Sequence, residues 1–172
     1  MLNGIAESRR QWNLAGFAVC VLLLGAAYYL QFVQGMEPCP LCIFQRVAVF
    51  GLAIVFLIAG LHAPKGWGSR VYAVLLLLVA GAGTALSVRH LWLQSLPADQ
   101  VPACGPGLDY MLNVFPLWDT VRMVLTGSGE CAEVDLILGV TLPAWTLAVF
   151  LLLGTAGIVV NWVSPARRPA RT

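Results

Sequence analysis

The sequence predicts an all-α membrane protein, a four-helix transmembrane bundle running up, down, up and down, and three observations carry that prediction. The 172 residues are 59% hydrophobic and only 10% charged, which lies outside the soluble globular class. Apolar runs of near-spanning length recur four times, each close to what a hydrocarbon core of about 30 Å demands. These runs are continuous rather than alternating, so the chain lacks the lumen-facing polar register of a β-barrel. Four spans of roughly 20 residues leave one loop of any size, and residues 1–172 are read as a single integral membrane domain.

The first span runs from about Asn13 to Val33. Arg9 and Arg10 before it give it the look of a signal peptide. The run is longer than an h-region, however, no small-x-small cleavage motif follows, and three more spans come after, so it is read as retained. Ser8-Arg9-Arg10 is only weakly similar to a twin-arginine signal. The second span covers about Ile43 to Leu61, with Gln45 and Arg46 in its first turns and Pro40 just ahead, where a missing N–H costs nothing. The third runs from about Val71 to Leu93 and carries Arg89 and His90 near its end. The fourth runs from about Leu142 to Val163, with Pro143 in its first turn and Thr141 as a candidate cap.

Residues 94–141 form the one long loop. Between Pro106 and Gly127, the apolar residues Val114, Leu117, Trp118, Val121, Val124 and Leu125 recur at helical spacing, with Asp119, Thr120 and Arg122 on the other face. This predicts a short helix lying in the membrane interface or packed on the mouth of the bundle.

Orientation follows from the basic residues. Arg9 and Arg10, Lys65 and Arg70, and Arg167, Arg168 and Arg171 all fall on one side if the spans alternate, and the positive-inside rule makes that side cytoplasmic. Both termini are then inside, and the long loop is outside, periplasmic in a bacterial inner membrane. That loop holds Asp99, Asp109, Asp119, Glu130, Glu133 and Asp135 against a single Arg122. Trp12, Trp67, Tyr72 and Trp162 mark the inner interface; Tyr28, Tyr29, Trp92 and Trp145 mark the outer one.

On the same outer side lie Cys39-Pro40-Leu41-Cys42, at the start of the second span, and Cys104 and Cys131 in the long loop. A Cys-x-x-Cys pair closes a small ring and exchanges two electrons, and a helix N-terminus favours its thiolate form. Static disulfides stapling the outer face are the bland alternative, but so small a ring is usually the exchangeable kind. A structural zinc site would need a second matching knuckle, and Cys104 and Cys131 are too far apart in sequence to supply one. Cys20, inside the first span, reads as a small apolar filler. Arg46 follows Cys42 by one helical turn and cannot discharge by losing its proton. A cation there costs up to about 3 kcal/mol at full depth, so it either snorkels to the interface or serves the thiols and a lipid-soluble electron acceptor. His90 could donate to the same acceptor or handle its protons, or simply be solvated.

The apolar helix before Cys39-Pro40-Leu41-Cys42, the Ile43-Phe44-Gln45-Arg46 after it, Cys104 and Cys131 in one outer loop, Ser87-Val88-Arg89-His90, and Leu142-Pro143-Ala144-Trp145 together resemble the disulfide bond formation protein B (DsbB) family of bacterial inner-membrane quinone reductases. The resemblance covers most of the chain. It implies that a periplasmic DsbA-like dithiol oxidase attacks a Cys104–Cys131 disulfide, with Cys104 taking the mixed disulfide. Cys39 and Cys42 then receive the electrons through a link between Cys39 and Cys131. Cys42 faces a quinone, ubiquinone or menaquinone, with Arg46 beside it and His90 near the ring. No metal and no nucleic acid is implied. An oxidant of that type sits near about −120 mV, so draining it needs a still stronger or continually drained acceptor, which a membrane quinone provides. The alternatives are a vitamin K epoxide reductase-like quinone-linked thiol oxidase, whose Cys-x-x-Cys usually opens a late helix, and a metal-binding or structural membrane protein.

Overall fold

The computed structural model describes residues 2–64, 66–97, 99–105 and 107–162. Lys65, Pro106, Val163, Arg167, Arg168 and Arg171, named above, lie outside the described residues. Helices α1 (Leu2–Phe32), α2 (Pro40–His62), α3 (Trp67–Gln94) and α6 (Leu142–Trp162) form the bundle. All four are long and apolar enough to cross a membrane, α1 over Ser8–Phe32, and the chain is a multi-pass membrane protein. They pack as a ring in which α1 meets α2, α2 meets α3, α3 meets α6, and α6 returns to α1. The helices alternate in direction, which places Cys39, Cys42, Cys104 and Cys131 at one end, here called the thiol end.

Lipid gives helices no hydrophobic reason to associate, so close approach has to come from small residues and from polar contacts. Both are present. Gly83 on α3 lies under the ring of Phe150 on α6, and a Cβ at Gly83 would collide with that ring; Gly154 approaches Ala80 and Gly157 approaches Leu76 in the same seam. Phe150 joins Leu52, Phe56, Leu76 and the fully buried Cys20 in one core cluster, so Cys20 is the apolar filler its sequence context predicts. At the end opposite the thiols, Asn13 and Asn161 exchange two side-chain hydrogen bonds of 3.2 and 2.9 Å, tying α1 to α6.

The long loop carries two helices rather than the single one predicted: α4 (Leu108–Val114) and α5 (Leu117–Thr126). Pro116 separates them, because it has no N–H to continue a helix and it drives the preceding Phe115 into extended backbone (φ −111°, ψ 151°). On α5, Leu117 and Trp118 are 70% and 76% exposed, as an interfacial face requires. Thr120, expected on the polar outer face, is instead fully buried, and its hydroxyl donates to the Met111 carbonyl at 3.1 Å. That bond ties α5 to α4. Gly127 ends α5 at φ +86°, against Leu93 of α3, where a side chain would be both strained and blocked. A 3₁₀ turn (Gly129–Ala132) and a hairpin of β1 (Leu136–Ile137) and β2 (Val140–Thr141) then lead into α6. The hairpin takes the place of the predicted cap, and the buried Thr141 hydroxyl has no hydrogen-bond partner among the described residues.

The α3–α6 seam yields a test of packing. Gly83→Ala should cost about 1–3 kcal/mol through overpacking against Phe150, whereas Gly25→Ala, which meets open space, should be neutral or gain up to about 1 kcal/mol of helix propensity. Thermal unfolding in detergent followed by circular dichroism compares the two; equal melting temperatures would contradict the close seam.

Candidate functional site

The first turn of α2 builds the site. Cys39 caps the helix in extended conformation (φ −63°, ψ 161°), Pro40 takes the first helical position, and the Cys42 N–H donates to Cys39 Sγ at 3.3 Å. The helix therefore begins at Pro40, three residues before the predicted start of the span, and Cys42 lies inside its first turn. The Cys39 thiol donates to Cys42 Sγ at 3.0 Å. All five cysteines are free thiols.

His90 enters from α3. It is 2% exposed rather than solvated, with Nε2 3.8 Å from Cys39 Sγ and Nδ1 3.3 Å from Gln45 Nε2. Arg89 points the other way. Its guanidinium donates to the carbonyls of Leu125 (3.0 Å) and Thr126 (2.8 Å) at the C-terminal end of α5 and lies over the Trp92 ring, so it holds the loop helix.

Arg46 is held by α1. It donates to Gln31 Oε1 and, at 3.3 Å, to the Ala27 carbonyl, and it sits over the Tyr28 ring at 5.5 Å. These partners hold the guanidinium against α1. The sequence reading missed Gln31, although a lone amide in an apolar span is itself a signal of a polar site.

Cys39, Cys42, Arg46 and His90 line one cavity of about 840 Å³. Leu23, Leu24, Leu30, Val49 and Val149 of α1, α2 and α6 form apolar walls, and Glu37, Glu130, Glu133 and Asp135 are the acidic residues on its lining. The hairpin contributes Ile137 and Leu138, and is held to α6 by the Trp145 indole N–H on the Ile137 carbonyl at 3.1 Å. This lip was not legible as a strand pair, because two-residue strands carry no periodicity.

The two loop cysteines occupy different surroundings. Cys131, in the 3₁₀ turn, is fully buried in a cluster with Cys39, Leu41, Leu93, Met111 and Val124. Its thiol is pushed well above the usual range, first by the hydrogen bond with Cys39, then by burial and by the charge Cys39 develops. Cys104 is exposed, on a segment laid against the 3₁₀ turn by the Gly129 N–H on the Ala103 carbonyl at 3.2 Å. Cys39, Cys42 and Cys131 thus cluster beside His90, and Cys104 alone of the four at this end is exposed. The Cys39, Cys42 and His90 ligand atoms lie within 4.8 Å of one another, a spacing that a soft metal ion could also use.

An apolar helical bundle that buries a capped dithiol beside a histidine, at the mouth of an apolar cavity, defines a multi-pass membrane protein of thiol–disulfide chemistry. Residues 9–160 match the family model of disulfide bond formation protein DsbB, and the chain belongs to that family of membrane disulfide-forming oxidoreductases. It is 57% identical over 144 residues to disulfide bond formation protein B of Nitrosococcus oceani, covering 83% of this chain and 85% of that protein. The corresponding proteins of Marinobacter nauticus and Methylococcus capsulatus are 52% and 50% identical over 145 and 156 residues, covering 84% and 90% of this chain and 86% and 95% of theirs. Membership of this family sets aside the vitamin K epoxide reductase-like alternative.

Burial and a raised pKa both keep Cys131 in its protonated, unreactive form across the neutral range. In the reduced protein at pH 8, iodoacetamide should therefore modify Cys104 well before Cys131. Replacing Cys39 by Ala removes the main cause of the shift and should speed Cys131 labelling, as mass spectrometry of the labelled peptides would read. Equal rates for Cys104 and Cys131 in the unmodified sequence would contradict the geometry.

Proposed function

We propose that the chain is a quinone-dependent protein-disulfide oxidoreductase of the bacterial inner membrane, re-oxidising a periplasmic DsbA-like dithiol protein, with its thiol end and long loop periplasmic and both termini cytoplasmic. One observation carries the reading: Cys42, Arg46 and His90 share a single cavity whose other walls are largely apolar and belong to membrane-spanning helices. A dissolved quinone ring fits that combination of apolar walls with two hydrogen-bonding groups. When bound, the quinone supplies an acceptor for two electrons and two protons.

The residues of the chain then act in sequence. A partner thiolate attacks Cys104 of a Cys104–Cys131 disulfide, forming a mixed disulfide and releasing Cys131. Cys131, buried against Cys39, attacks Cys39 of a Cys39–Cys42 disulfide; the Cys39–Cys131 bond forms and Cys42 leaves as a thiolate at the cavity. The second partner thiol displaces Cys104, which completes the partner's disulfide. Cys104 attacks Cys131 and frees Cys39, and Cys39 and Cys42 close again as their electron pair passes to the quinone. Two thiol protons and two electrons leave the partner, and both pairs end on the hydroquinone. Arg46, fixed by Gln31 and Ala27, offers a permanent positive charge at the cavity without competing for a proton.

Purified protein given a reduced DsbA-like substrate and a ubiquinone or menaquinone analogue should form one hydroquinone per partner disulfide. Absence of turnover with either quinone, while the thiols remain accessible, would refute the reading. Cys42→Ser should abolish quinone reduction, and with it any visible absorption that appears on adding quinone, while leaving membrane insertion intact. Arg46→Ala should raise the quinone KM by about tenfold or more and leave thiol exchange with the partner nearly unchanged; equal damage to both half-reactions would make Arg46 structural.

The compact Cys39, Cys42 and His90 triangle supports one second reading, a metal-binding membrane protein. Elemental analysis separates the two: stoichiometric zinc with unreactive thiols favours the metal, and labile disulfides in metal-free protein favour the oxidoreductase.

A further inference from the structure

A continuous polar chain crosses the apolar bundle behind the dithiol. The Thr146 hydroxyl of α6 donates to Gln45 Oε1 at 2.9 Å, Gln45 Nε2 lies 3.3 Å from His90 Nδ1, and His90 Nε2 lies 3.8 Å from Cys39 Sγ. Ser87 of α3 stands 3.2 Å from Thr146 Oγ1. Gln45, His90 and Ser87 are 3%, 2% and 0% exposed, so their bonds to one another are largely shielded from bulk solvent.

The direction of the chain follows from counting protons. Cys39 has one thiol hydrogen, and it is committed to Cys42 at 3.0 Å, while Cys39 Sγ already accepts the Cys42 backbone N–H. Its contact with His90 therefore requires an N–H on Nε2, whether Cys39 is thiol or thiolate. In a neutral imidazole, Nδ1 is then the acceptor and needs a donor, which the Gln45 amide nitrogen supplies. The Gln45 oxygen must in turn accept, and the single Thr146 hydroxyl hydrogen, shared with the Pro143 carbonyl at 3.0 Å, provides that bond. Each link constrains the next, from the loop-side end of α6 to the redox sulfur.

We propose that Gln45, oriented by Thr146, is a positioning residue that holds His90 in its Nε2–H tautomer and so keeps a hydrogen-bond donor on the Cys39 sulfur. This deepens the redox reading of Cys39 and His90 and rests on it for its consequence in turnover, but the tautomer itself is independent of any quinone. A buried amide at this position in an apolar span would otherwise be an unfavourable choice over leucine. The donor stabilises negative charge on Cys39 each time a disulfide to that sulfur is cleaved.

The chain has two histidines, so ¹⁵N-histidine labelling of the reduced protein in nanodiscs, with a His62→Asn variant to assign the signals, reads the His90 tautomer directly. Nε2–H is expected for the unsubstituted protein. Gln45→Leu should give a mixture of tautomers, Gln45→Glu should move the proton to Nδ1, Thr146→Val should partly mimic Gln45→Leu, and Thr146→Ser should restore Nε2–H. In parallel, iodoacetamide modification of Cys39 at fixed pH should slow about tenfold in Gln45→Leu, within the 10- to 100-fold range typical of lost histidine-orienting partners. A merely structural Gln45 would lower thermal stability in these variants without moving the tautomer. An Nδ1–H histidine in the unsubstituted protein, or a tautomer indifferent to Gln45→Leu and Gln45→Glu, would overturn the proposal. An Nε2–H histidine that responds to Gln45, in a protein that never reduces quinone, would uphold it and refute the quinone reading instead.

Discussion

The hydrogen bond from the Cys42 N–H to Cys39 Sγ is the contact on which the rest of the thiol end depends. A spanning helix satisfies its interior backbone by itself, but its first turn leaves N–H groups that lipid cannot take. Here a cysteine sulfur fills the role that serine or aspartate usually plays, and Pro40 next to it removes one of the orphan donors altogether. The capping geometry fixes both sulfurs at the top of α2 and leaves Cys42 inside the cavity. Everything else at this end, the histidine, the arginine and the buried loop turn, is placed relative to that cap.

Polar side chains join the helices of the bundle at both ends. Away from the thiols, the reciprocal Asn13–Asn161 pair closes α1 onto α6. At the thiol end, Arg46 joins α2 to α1 through Gln31, and Gln45 joins α2 to α3 and α6 through His90 and Thr146. Between them lies the glycine and phenylalanine seam of α3 and α6, where backbones approach closely and no polar side chain is needed. The arrangement suits a medium that neither drives helices together nor tolerates an unpaired dipole.

The four spans, the filler role of Cys20 and the grouping of Cys39 with Cys42 were legible in the sequence because each rests on local pattern: run length, spacing, or a proline at a helix start. The loop helix was legible as apolar periodicity, but Pro116 broke it in two and Thr120 turned inward, since the Met111 carbonyl offered a buried partner that periodicity does not encode. Arg46 was visible as an expensive cation, yet its anchors Gln31 and Ala27 lie 15 and 19 residues away on another helix. Gln45 and Thr146, 101 residues apart, could be paired only by folding. Arg89 and His90, adjacent in sequence, separate onto opposite duties because successive helical residues face about 100° apart.

The burial of the cysteines also bears on the direction of electron flow in the proposed cycle. Cys104 is exposed, Cys131 is buried against Cys39 outside the spans, and Cys42 faces the cavity among membrane helices. In that cycle a bulky protein partner would meet the first of these and a lipid-dissolved acceptor the last. Cys131 and Cys39 between them are screened from both, so a sulfur released there meets another sulfur of the same chain before it meets a competing thiol. Separation of entrance from exit is thus built from packing, and the loop helices, clamped by Arg89 and by Gly127 against Leu93, are what keep the middle of the path closed.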